Sequence, residues 1–70
     1  MAKAAWSAVE ALVGPLFEGG QRPERSDLVE LAYREGADDD VVDALDSLGP
    51  RPVESLAQLK TLLEGNGVLA

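Results

Sequence analysis

Apolar residues recur at helical spacing along most of this chain. Ala5, Val9, Leu12 and Val13 share one side of a first helix predicted from about Ala4 to Val13, with Trp6 and Ala8 at its edges. Ala, Leu and Glu dominate that stretch and are good helix formers. Its apolar face covers close to half the circumference, which is wider than one core contact usually needs. Gly14-Pro15 is expected to stop the helix, because proline has no N–H and its ring crowds the preceding turn. Leu16 and Phe17 then continue the apolar set in a short turn begun by Pro15.

A loop is predicted from Glu18 to Arg25, with turn chemistry from Gly19, Gly20 and Pro23. Ser26 is the expected N-cap of a second helix reaching about Glu35, with Asp27 in its first turn. Leu28, Leu31 and Ala32 line one face, Tyr33 lies off that stripe beside Val29, and Gly36 stands where a left-handed C-cap belongs. A third helix is capped by Asp38 or Asp39 and carries Val41, Ala44, Leu45 and Leu48 as its apolar stripe. Gly49-Pro50 ends it. Arg51-Pro52-Val53 reads as extended, since proline disfavours α geometry in the residue before it. Ser55 and Gln58 form a capping box for a fourth helix to about Glu64, with Leu56, Leu59, Leu62 and Leu63 apolar. No strand, repeat or low-complexity tract stands out. The expected fold is all-α, a small compact bundle of three to four short helices in one domain over residues 1–70. Its expected core is Val9, Leu12, Leu28, Leu31, Ala32, Val41, Leu45, Leu48, Leu59 and Leu63.

The middle pair has the spacing of a helix-turn-helix: small Ala32, turn glycine Gly36 and aliphatic Val42. A DNA-reading version needs Arg, Lys, Asn or Gln where its second helix begins. Here that helix carries Asp38, Asp39, Asp40, Asp43 and Asp46, which phosphates repel, so the pattern is expected to serve packing. A basic footprint through Arg22, Arg25 and Arg34 is weak beside thirteen acids and a net charge of −7.

Composition removes several chemistries. The 70 residues include no Cys and no His, so disulfides and the usual structural zinc sites are absent. The serines at 7, 26, 47 and 55 have no base of the required kind nearby in sequence, and neither Gly19-Gly20 nor Gly65-Asn66-Gly67 matches a phosphate loop. Asp38-Asp39-Asp40 lacks the alternating ligand spacing of a calcium loop and is better explained by capping and the helix dipole. No catalytic, cofactor-binding or metal-binding residue is assigned, no cofactor is expected, and an enzyme is not expected. No apolar run approaches a membrane span. The N-terminal segment lacks an apolar signal region, so a cytoplasmic protein is expected. The lack of Ile and the preference for Arg over Lys suggest a GC-rich bacterial or phage source.

Residues 26–63 resemble a bacterial family of small helical domains grouped as domain of unknown function 2795. Its members typically read as a Leu-Val helix, then Arg-Glu-x-Gly-Ala-Asp, then a Val or Leu helix ending in Leu-Pro. An aromatic and a Ser-Pro step precede the last helix. In this chain Arg34-Glu35-Gly36-Ala37-Asp38 carries the likeness, one residue shorter between Glu35 and Gly36 than some members. Val53 stands where the family often has an aromatic, and Leu56 where it often has proline after the serine. The resemblance implies an all-α fold. It implies no activity and no functional residues.

The functional expectation is a non-catalytic interaction module, an adaptor or small inhibitor, whose partner is a protein with a basic or apolar surface. Its contacts are expected from Trp6, Val13 and Phe17 on the first helix, and from Asp39, Asp40 and Asp43 on an acidic third helix that steers basic partners. Two other readings stay open. One is self-association into a homodimer through the first helix. The other is inhibition of a nucleic-acid-binding protein by mimicry of DNA charge.

Overall fold

The computed structural model describes residues 3–70. Four helices follow in order: α1 Trp6–Glu18, α2 Arg25–Arg34, α3 Asp39–Asp46 and α4 Leu56–Gly65. Among the described residues there is no strand, only one isolated parallel bridge between Ala4 and Leu69. The fold is the expected small all-α bundle, and α2 and α3 form its most closely packed pair.

α1 departs from the sequence expectation by running straight through Gly14-Pro15. Pro15 has no N–H to offer the preceding turn, which normally weakens a helix by about 3 kcal/mol. One of the proline's steric conflicts, that of its ring with the Cβ of the residue before it, is absent because that residue is Gly14. Beyond the proline, Leu16 and Phe17 pack against the core, and this burial sustains the last turn. The helix ends at Gly19-Gly20 instead, where the Gln21 N–H donates to the Leu16 carbonyl at 3.2 Å.

The cap of α2 also differs. The N-cap is Glu24, and Ser26 is the second residue inside the helix. Asp27 reaches back so that its Oδ2 accepts the Glu24 N–H at 3.0 Å. A carboxylate is the stronger acceptor for an orphan N–H, and it also complements the helix dipole. At the other end Gly36 adopts φ +68°. The Ala37 N–H donates to the Ala32 carbonyl at 2.9 Å and the Gly36 N–H to Tyr33 at 3.2 Å, a Schellman closure that a residue with a Cβ would strain. Asp38 follows as N-cap of α3, although its side chain makes no capping bond.

α4 starts as expected. Ser55 Oγ accepts the Gln58 N–H at 3.0 Å, while Gln58 Oε1 accepts from the N–H of Glu54 at 2.7 Å, one residue earlier than a standard capping box. The C-terminal residues are docked: the Ala4 N–H donates to Val68 at 3.0 Å and the Ala70 N–H to Ala4 at 2.7 Å.

One apolar cluster holds the helices together. Eight of the ten residues expected in the core are buried, while Leu12 and Leu31 are only half-buried. Ala4, Val13, Val42, Ala44 and Val53 are buried in addition. No polar or charged residue is buried among the described residues. Polar clips work at the rim. The Val53 N–H donates to the Pro23 carbonyl at 2.9 Å, and Asn66 Nδ2 donates to Ser47 O and Oγ, each at 3.2 Å.

Two substitutions test this account by urea unfolding. Leu45→Ala should cost about 2–5 kcal/mol, enough to unfold much of so small a domain. Pro15→Ala should raise stability by about 2 kcal/mol, because it restores a helical N–H and loses only a little unfolded-state rigidity.

Candidate functional site

The structure separates the two groups of contact residues expected from sequence. On α1, Val13 is 0% exposed and belongs to the core, so its expected role in partner binding is corrected. With Val9 it forms the inward stripe that meets α2 and α4. Trp6 and Phe17 are half-buried against the same cluster. The ammonium of Lys60 lies 5.9 Å from the Trp6 ring centroid, in cation–π range. The excess apolar width of α1 is thus largely covered inside the chain, by α2, α4 and the Val68-Leu69 tail. The apolar residues that α1 leaves exposed are small: Ala8, Ala11 and Pro15.

The large apolar groups most open to water lie elsewhere: Tyr33 is 70% exposed and Leu62 41%. Tyr33 and half-buried Val29 line a shallow cleft on the outer side of α2, with Arg25, Ser26 and Glu30. Asp46, the last residue of α3, closes the cleft from across the α2–α3 pair. The off-stripe position of Tyr33 was legible in the sequence. The exposure of Leu62 was not, because α4's leucines all fit a helical stripe and only packing decides which turn outward. Leu62 borders a second groove with Leu48, Pro50, Pro52, Val53 and Gln58.

On α3, Val41, Val42, Ala44 and Leu45 face the core. Asp39, Asp43 and Asp46 are exposed and fall at i, i+4 and i+7, so they form one line along the outer face; Asp40 is half-buried. These acids divide by position. Asp39 and Asp40 sit in the first turn, where the helix dipole favours a negative charge. Asp43 and Asp46 sit in the last turn, which has no basic residue, and there the dipole opposes them. The helix dipole therefore accounts for the first two and not for the others.

Among the described residues the one ion pair is Arg34 with Glu30, at 3.7 Å and largely exposed. Among the described residues no cation reaches ion-pair range of the α3 carboxylates. Arg25, the nearest base in the cleft, spends its guanidinium on the Leu48 carbonyl, with Nη1 donating at 3.3 Å. Among the described residues no three ligating side chains converge as a metal site. No helix of the structure is long and apolar enough to cross a membrane.

The division of α3 predicts substitution effects of opposite sign. Asp43→Asn and Asp46→Asn should each raise stability by about 0.3–1 kcal/mol, whereas Asp39→Asn should lower it by a similar amount. Thermal melts at low salt read the difference, and added salt should shrink it.

Comparison with protein-family models, with curated proteins and with solved structures finds no match to this chain.

Proposed function

We propose that this chain is a non-catalytic protein-interaction module with an acidic surface, whose contact face is the outer side of α2 and α3. The observation that carries this reading is Tyr33, 70% exposed beside Val29. A tyrosine in water leaves a large apolar ring unburied, and tyrosine is among the residues that most often anchor interfaces. The fold had inward positions available on α2, where Leu28 and Ala32 are buried, yet the aromatic stands outside them. Phe17 on α1 is half covered and Val13 is internal, so the proposed anchor moves from α1 to α2. The net charge of −7 favours basic protein surfaces and disfavours nucleic acid and anionic membranes.

Membership in the family that residues 26–63 resemble belongs to the same proposal. Its support is the Gly36-Ala37-Asp38 turn, the joint between α2 and α3. A cytoplasmic setting is proposed with it.

The test is affinity capture from native lysate with wild-type protein and with Tyr33→Ala, at low and moderate salt. A partner that depends on Tyr33, is lost as salt rises, and is kept by Trp6→Ala supports the face. Equal recovery by wild type and Tyr33→Ala rejects it. Light scattering runs in parallel. A dimer that Tyr33→Ala dissolves would assign the face to a second copy of the chain.

A further inference from the structure

We propose that the Tyr33 cleft and the acidic line of α3 together receive a basic segment of another protein. One aliphatic side chain of that segment rests against Tyr33 and Val29, and its lysines or arginines follow Asp46, Asp43 and Asp39. The proposal rests on the interaction-module reading and adds the chemistry of the occupant.

Charge and shape are continuous between the two features. Tyr33 and Val29 supply apolar lining of the cleft, and the carboxylate-bearing Glu30 and Asp46 line it beside them. Glu30 already has Arg34, so Asp46 is the carboxylate left without a cation in ion-pair range among the described residues. From Asp46 the acidic line runs back along α3 through Asp43 to Asp39, roughly 10 Å of helix axis at 1.5 Å per residue. A docked segment thus meets an apolar anchor point at one end and three exposed carboxylates beyond it.

The energetics favour a cation as occupant. Asp43 and Asp46 oppose the α3 dipole and repel Asp39 and each other at i, i+4 and i, i+3 spacing. A positive side chain laid along them relieves both penalties at once. Arg25 already places a guanidinium just past the end of α3, where its Nη1 donates to the Leu48 carbonyl at 3.3 Å, two residues beyond Asp46. Arg25 also shares the cleft and reduces its negative potential there, which puts the main attraction on the α3 line. Beyond the face itself, the net charge of −7 speeds the approach of a basic partner.

The probe is a synthetic amphipathic helix of lysine and leucine, titrated into the full chain and followed by nuclear magnetic resonance and calorimetry. The resonances of Tyr33, Val29, Asp43 and Asp46 should move, and affinity should fall as salt rises. Tyr33→Ala, and the pair Asp43→Asn with Asp46→Asn, should each weaken binding about tenfold or more, as substitutions of anchoring residues do. The aspartate pair should do so while the melting temperature stays level or rises, which separates lost contact from lost fold. Glu10→Gln with Glu64→Gln changes net charge equally on α1 and α4 and should leave affinity within about twofold. If that control pair weakens binding as much as the α3 pair, or if Tyr33→Ala has no effect, attraction is net charge alone and the proposal fails. A natural partner that needs Tyr33 but binds through acidic or uncharged residues would overturn the basic occupant and leave the interaction module standing.

Discussion

The packing of α2 against α3 around Gly36 is the contact on which the rest of this structure depends. The chain has 70 residues with no Cys and no His, so neither disulfide nor the usual zinc ligands can brace it. Its stability must come from one small apolar cluster. Leu28 and Ala32 from α2, and Val41, Ala44 and Leu45 from α3, are buried in that cluster. Ala32 has a double use: its small side chain is buried between helices, and its carbonyl accepts the Ala37 N–H that closes the turn. α1 and α4 then close over the pair. Val53 is clipped to Pro23, which ties the two long connections to each other, and Asn66 at the end of α4 is clipped to Ser47 at the end of α3.

The same packing decides what the surface carries. With Val41, Val42, Ala44 and Leu45 committed inward, helical spacing sends Asp39, Asp43 and Asp46 outward together. With Leu28 and Ala32 inward, Tyr33 is turned to solvent on the flank of α2. The aromatic and the last aspartate of α3 meet in one cleft because the two helices are neighbours, although they are thirteen positions apart in sequence. Asp43 and Asp46 lie where the α3 dipole disfavours them, at a cost that their exposure to water keeps small.

Much of this was legible because it is local chemistry. Gly36 as a left-handed cap, Ser55 with Gln58, the inward stripes of α2 and α3, and Tyr33 off its stripe all follow from spacing and residue type. Other features were hidden because tertiary burial overrides local preference. Gly14-Pro15 reads as a stop, yet the missing Cβ of Gly14 and the burial of Leu16 and Phe17 carry α1 through it. Ser26 has the better intrinsic capping preference, but Asp27 reaches the Glu24 N–H and moves the start of α2. Val13 belongs to the over-wide apolar face that the sequence predicts for the first helix, and only the packing of α2 and α4 against α1 makes it internal. The docking of Val68-Leu69-Ala70 on Ala4 joins the two ends of the chain, which no local pattern announces.

Packed as they are around Gly36, α2 and α3 should be the most stable unit of the fold and the rigid support of its outer face. Native-state amide hydrogen exchange on the chain alone addresses it most directly. Amides within Leu28–Arg34 and Val42–Asp46 should exchange slowest and share one opening free energy, equal to that of global unfolding, while those around Pro15 and the chain ends open earlier. If α2 and α3 opened independently of each other, or exchanged faster than α1 and α4, the account would be contradicted.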